Sequence, residues 1–494
     1  MTLSASAGTN SRWLGFGVLC TGMFMVITDG TVVNVALPTL QQELEFTQDD
    51  LAWVVNAFVI PFGSLLLLSG RLGDLIGRKR MFLIGLVMFT IASALCGLST
   101  DQASLIASRF IQGVGGALAT GVILGKLVSL FSDPRELGKA FGIFGFVLTG
   151  AGSVGLVLGG FLTEALSWRW IFFINLPIGV AALVIALRVL EDDRGPGVDR
   201  RTDFLGAVLM ASGLMFGIYT IAKVAEHGWI SAHTLGFGAV ALLLLAAFVV
   251  RESKAAHPLL PLRLFKSRQL SGANAVQGLY VASAFSMFFV GALYLQLVLG
   301  YDPLKIGLVF LPMSLVTAFV SLGFAAKLNA RFGNRMMLLV GLVPVAGGLA
   351  LLTRLPVDGT FLVDFLPAML LLGAGGGLVM PALTALAMED APPADAGLAG
   401  GLVSTMQQFG GALGVAILAA SSTSRTADLL AKGESRQEAL TGGYRLAFGI
   451  TVCFLLGCLA VALTVLRPRR AATANPQATG SESGEPETAA ADRS

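Results

Sequence analysis

The sequence predicts an all-α integral membrane protein of fourteen membrane-crossing helices, built as two six-helix bundles plus two inserted helices. Three observations predict it. The 494 residues are 55% hydrophobic and only 13% charged, against about 25% charged in soluble domains, and mean hydropathy is +0.79. Fourteen separate apolar runs reach the roughly 20 residues a helix needs to cross a bilayer. The 61 glycines lie within those runs rather than in linkers, as suits helices that approach closely through small side chains.

The first helix is expected over 13–37. It follows a short polar start and exceeds a signal-peptide core in length, so it reads as an uncleaved insertion signal. Asp29 interrupts this run. A carboxylate there costs at least about 2.5 kcal/mol, which marks it as a functional residue by default, and desolvation favours its protonated form. The helix rise puts Asp29 about 12 Å from the outer end at Leu37. The next helices are expected at 51–69, 81–98, 104–130, 140–163 and 170–190. Arg109 lies in the fourth, about 6–8 Å from the same face. Gln112 follows three residues later on the same side of the helix.

Two further runs at 204–222 and 233–250 form the inserted pair. Six more, at 271–299, 304–328, 336–353, 361–388, 396–421 and 444–466, complete the count. An even number places both termini on one side, and Lys/Arg bias makes that side cytoplasmic. Cytoplasmic segments then carry 23 Lys/Arg, outer ones 8 and helix interiors 2, Arg109 and Lys126. Two loops depart from the rule: Glu389 to Asp395 is acidic where it should be cytoplasmic, and the last outer loop is rather basic. The expected segments are a cytoplasmic N-terminus (1–12), an N-terminal bundle (13–190), a linker carrying the inserted pair (191–269), a C-terminal bundle (270–466) and a disordered tail (467–494), which is too polar to bury a core.

A weak internal echo supports the two bundles. Residues 70–80 match 326–336, with Leu72 opposite Leu328 and Gly77 opposite Gly333, each after the second helix of a six-helix set. Basic residues in the first copy would orient the chain. Charge alone does not require Gly70, Gly73, Gly77 or Asp74, so with Arg78 and Lys79 they are expected to form a gating loop. Gly152, Gly155, Gly159 and Gly160 in the fifth helix make a close-packing surface. Candidate pathway polars are Asn34, Asn56, Gln112, Asn274, Gln277, Gln296, Gln407 and Gln408.

Four motifs then carry a resemblance. Asp29-Gly-Thr31 through Asn34 to Pro38, the loop Gly70 to Arg80, Arg109-Phe-Ile-Gln112-Gly113 through Gly116, and Gly155 to Gly160 followed by Trp168-Arg169-Trp170 through Asn175-Leu-Pro177 resemble those of fourteen-helix drug:proton antiporters of the major facilitator superfamily. The likeness covers nearly the whole chain except the tail. It implies the major facilitator fold, with the first and fourth helices as neighbours. It also implies proton-driven export of amphipathic small molecules from the cytoplasm by alternating access around a midplane site. In that scheme a proton from outside loads Asp29, and Arg109 stabilises its ionised form. Where the family places a proline in the fifth-helix motif, this chain has Leu156, so a bend there rests on glycines. Rival readings are export of lipid or cell-envelope precursors, and proton-coupled metabolite symport.

The expected partners are an amphipathic substrate, protons and the bilayer, for a monomer needing no cofactor beyond the proton gradient. The thirteenth helix holds no acid, which favours neutral or monocationic substrates. A net charge of +3 suggests no nucleic acid. Cys20, Cys96, Cys453 and Cys458 read as small hydrophobes. His227, His233 and His257 fall in or beside loops, and no Ser/His/Asp or P-loop signature appears, so no enzyme is expected.

Overall fold

A computed structural model of the chain describes residues 9–131, 133–193, 197, 203–255, 258, 260 and 262–466; the expected tail and His257 lie outside them. Among the described residues there is no strand, and fourteen helices are long and apolar enough to cross a membrane. They are α1 (Ser11–Glu43), α2 (Asp50–Ile76), α3 (Arg78–Leu98), α4 (Gln102–Leu130), α5 (Arg135–Ala165), α6 (Trp170–Val189), α7 (Phe204–Val224), α8 (Ala232–Lys254), α9 (Arg268–Leu297), α10 (Lys305–Phe332), α11 (Asn334–Leu352), α12 (Phe361–Glu389), α13 (Ala396–Ala431) and α14 (Arg436–Thr464).

Side chains at the helix starts satisfy the amides that a helix leaves unpaired. Thr47 caps α2, Asp101 α4, Asp203 α7, Ser231 α8, Ser267 α9 and Asp302 α10. The turn between α2 and α3 is a single residue, Gly77, at φ +117°, a conformation open to glycine at little cost. Backbone regularity fails at several places among the described residues. Gly121 and Val122 interrupt α4, α6 is broken at Ile174, and α10 contains a π-helical segment, Ser321–Ala325.

The hairpin between α13 and α14 differs from the expected outer loop. Both helices run on past their apolar stretches, so α13 has 36 residues and spans about 54 Å. The extension is held by packing: methyl groups placed on Gly442 and Gly443 would meet Leu429 and Thr426. Gly433 at φ +89° stops α13, and a capping box of Ser435 and Glu438 starts α14. Arg425 therefore lies in a helix rather than a loop.

Helices α1 to α6 pack together, α1 on α5 and α4 on both α2 and α3; α9 to α14 do likewise, α9 on α13 and α14 and α12 on α10 and α11. The bundles meet along α2 with α13, α4 with α13, and α5 with α10 and α12. The inserted pair lies outside that seam, with α7 against both α2 and α13. Gly63 of α2 faces Ile218, and Phe409 of α13 faces Gly217. Burial pushes the Asp203 carboxyl upward, but Arg251 and the N–H groups of Gly206 and Leu205 outweigh it and hold it below the usual carboxylate range. Arg251 Nε lies 3.0 Å from Asp203, tying the two inserted helices together.

Candidate functional site

Asp29 sits at the centre of a sealed polar cluster inside the N-terminal bundle. Asp29 is 2% exposed, Arg109 1% and Gln112 0%, so their polar groups must satisfy one another. The Arg109 guanidinium donates through Nη1 to Asp29 Oδ2. The same Nη1 donates to Gln112 Oε1 at 2.8 Å, and Nε donates to the Val54 carbonyl at 3.0 Å. Gln112 Nε2 then donates to Asp29 Oδ1 at 2.8 Å, closing the triangle. The Phe58 ring lies under the guanidinium, 4.4 Å from centroid to Cζ. With this packing and full hydrogen bonding the pair is tolerated; removing one partner would leave an uncompensated buried charge worth about 3–5 kcal/mol.

Three further members, Asn175, Ser93 and Cys96, are not among the expected site residues. Asn175, the first residue after the break in α6, donates to Asp29 Oδ1 at 3.2 Å and to Ser93 Oγ at 3.1 Å. Ser93, on α3, donates to the Phe172 carbonyl at 2.9 Å. The Cys96 thiol reaches Gln112 Oε1 at 3.5 Å. In sequence Asn175 falls inside the expected sixth helix, Ser93 carries no signal and Cys96 reads as a small hydrophobe; only the meeting of α1, α3, α4 and α6 gives them a role. Among the described residues, every side chain hydrogen-bonded to the Asp29 carboxyl donates to it.

The other expected pathway polars contribute no hydrogen bond to this cluster among the described residues. Asn34 is exposed and bonds the Gly30 carbonyl of its own helix at 3.0 Å. Gln296 is exposed; Asn56, Gln407 and Gln408 are half-buried. Gln277 is fully buried in the C-terminal bundle, its Nε2 3.9 Å from Met380 Sδ and its Oε1 unpartnered. Asn274 bonds the Leu270 carbonyl.

The expected glycine surface of α5 is narrower than its sequence suggests. A methyl on Gly155 would strike the Thr31 hydroxyl, and one on Gly159 would lie 3.0 Å from the Val32 carbonyl oxygen, so these two clasp the part of α1 that follows Asp29. Gly152 and Gly160 are not part of the close packing: a methyl would be 3.9 Å from Thr31 at the first and would meet nothing within 4 Å at the second. The Leu156 side chain lies outside the described residues.

A second constellation joins the bundles at the end bearing the α2–α3 turn. Asp74 lies at the end of α2 rather than the start of the third helix. Its Oδ1 accepts from Arg78 Nε at 2.9 Å and Nη2 at 2.6 Å, and from the Gly397 amide at 3.0 Å; Oδ2 accepts from the Leu398 amide at 2.8 Å. The carboxylate thus caps the positive end of α13, in the opposite bundle. A methyl on Gly70 would run into the Gly397 carbonyl, and one on Gly73 into Val122. Lys79 Nζ pairs with Asp192 at 3.0 Å, and its amide donates to Asp193 Oδ1 at 3.0 Å. Lys126, expected inside a helix, reaches the Glu191 carbonyl at 2.9 Å. The acidic segment that broke the charge rule belongs here too: Asp395 receives Arg71 at 3.4 Å and Arg263 at 3.2 Å.

A family model described as Major Facilitator Superfamily matches residues 19–415. The puromycin resistance protein of Streptomyces alboniger is 38% identical over 451 residues, 91% of this chain and 89% of that protein. The cephamycin export protein of Amycolatopsis lactamdurans is 38% identical over 412 residues, 83% and 85% of the two chains. Among solved structures, the human organic anion transporter MFSD10 superposes with a TM-score of 0.64, covering 91% of this chain and 99% of that one at 16% identity, a likeness of fold alone.

Proposed function

The chain belongs to the major facilitator superfamily, and on that premise we propose that it exports amphipathic antibiotics from the cytoplasm in exchange for protons, by alternating access between its two bundles. The observation that carries this reading is the sealed Asp29–Arg109–Gln112 cluster. A charged pair in the membrane interior is an expense that a passive scaffold has no reason to keep.

The cycle follows from the chemistry of that cluster. Protonating Asp29 removes the negative partner of Arg109, which keeps only neutral acceptors at Gln112 and Val54. The resulting imbalance favours rearrangement of α1 against α4. The Asp74 and Arg71 contacts with α13 and Asp395 hold the bundles closed at the end the Lys/Arg bias makes cytoplasmic, so a proton taken up from outside belongs to this state. Reopening toward the cytoplasm has to break those contacts, releasing the proton inward as drug enters. Resistance and export in relatives 38% identical support antibiotics as the cargo class.

The test is reconstitution in liposomes with an imposed pH gradient, using puromycin as the first probe. Wild-type protein is expected to drive uptake against its concentration gradient, and Asp29→Asn to abolish that accumulation. Full gradient-driven uptake by the variant would overturn the proposal.

A further inference from the structure

Asp29 must alternate between two protonation states, yet nearly every neighbour suits only one. Arg109 has no acceptor to offer. The Val54 carbonyl already takes Arg109 Nε at 3.0 Å. Gln112 is fixed in orientation: its Oε1 takes Arg109 Nη1 at 2.8 Å and the Cys96 thiol at 3.5 Å, so reversing the amide would turn its NH2 against the guanidinium. Of the side chains bonded to Asp29, neither Arg109 nor Gln112 as oriented could accept from its acid form.

Asn175 is placed differently. Its Nδ2 bridges Asp29 Oδ1 and Ser93 Oγ at 3.2 and 3.1 Å, so apart from Asp29 itself it touches a neutral hydroxyl. A half-turn of the amide would put Oδ1 in that position. Ser93, which accepts from Asn175 and donates to the Phe172 carbonyl at 2.9 Å, can rotate its O–H to meet the new acceptor. In the flipped orientation Oδ1 accepts from both Asp29 and Ser93, while the Phe172 carbonyl gives up the Ser93 hydroxyl and keeps the Ile174 N–H. The backbone break at Ile174 leaves Asn175 at the very start of a helical segment, with Pro177 two residues on. Asn175 is 4% exposed and Ser93 0%, so no bulk water competes. Asp29 of α1 and Arg109 of α4 are the charged groups of the cluster, and Cys96 of α3 is its other titratable side chain.

We propose that Asn175 is a positioning residue that serves both protonation states, donating to the Asp29 carboxylate and, after an amide flip accommodated by Ser93, accepting from the Asp29 carboxylic acid. No proton passes to the amide. The Asp29 O–H donates to Oδ1 without transfer, and its proton alone leaves to water when the carboxylate re-forms. The inference rests on the proton coupling proposed above and adds the element that makes the loaded state of the cluster stable.

The experiment is difference infrared spectroscopy of the full chain in lipid nanodiscs between acid and neutral pH, with Asp29→Asn identifying the carboxylic-acid band. In the wild type that band should sit at the lower wavenumber of a hydrogen-bonded acid. Asn175→Leu should move it upward and cut proton-driven puromycin uptake at least tenfold. Ser93→Ala, a smaller change that spares the fold should the leucine variant misfold, should move the band in the same direction by less. A band that titrates but ignores the variants would overturn the inference alone. The absence of any pH-dependent Asp29 band would overturn it together with the proton coupling beneath it.

Discussion

Arg109 is where the proposed coupling is most directly tested, because its guanidinium is the only cation bonded to the Asp29 carboxylate among the described residues. Arg109→Ala would leave Gln112 and Asn175 as neutral donors, and the ionised form would lose its main stabilisation. The expected outcome is a rise of about one to three pH units in the midpoint of proton-driven uptake, read from initial rates across a pH series; an unchanged profile would sink the pairing. Gln112→Ala should act more gently. It removes two hydrogen bonds to charged groups, each worth about 1.5–3 kcal/mol, but leaves the ion pair standing.

At the scale of elements, the cap that Asp74 places on α13 is a contact that the proposed transport cycle would make and break. Asp74→Ala strips α13 of its carboxylate acceptor and Arg78 of its ion-pair partner, leaving Arg78 its bond to the Gly125 carbonyl. A cysteine introduced at Gly400, which packs on Leu124 of α4, should then react with a membrane-impermeant thiol reagent from the cytoplasmic side at least tenfold faster; equal rates would argue against a latch. The inserted pair makes a separate prediction. Asp203 is held below the usual carboxylate range, so its contribution to stability is fully present above about pH 3.9 and is lost as pH falls through its lower folded value. Asp203→Asn should therefore flatten the acid limb of thermal stability between about pH 5 and 2, a change visible in melting curves.

Across the whole molecule, the features legible in the sequence were those with an energetic penalty. Asp29 and Arg109 stood out because charge in an apolar helix is expensive, and the fourteen spans because hydropathy is a length-scale signal. Asn175 and Ser93 carry no such penalty in sequence, since neutral polar residues are common in bundles, and their role exists only where four helices converge. Asp395 was visible as a breach of the charge rule, but its reason was not, because Arg71 and Arg263 reach it from segments far away in the chain. The α13–α14 hairpin was misread as a loop because its helices continue past the apolar runs, although Gly433 and the Ser435–Glu438 box were there to be seen. One consequence of the buried pair concerns voltage rather than chemistry. As described, Asp29 and Arg109 sum to zero; with a proton bound, the cluster carries one net positive charge, and the membrane potential acts on it with about 2.3 kcal/mol per 100 mV for a full crossing. A neutral drug should therefore accumulate when a potassium diffusion potential is imposed at equal pH on both sides, turning the bundle core into a voltage-responsive element that needs no mobile sensor helix.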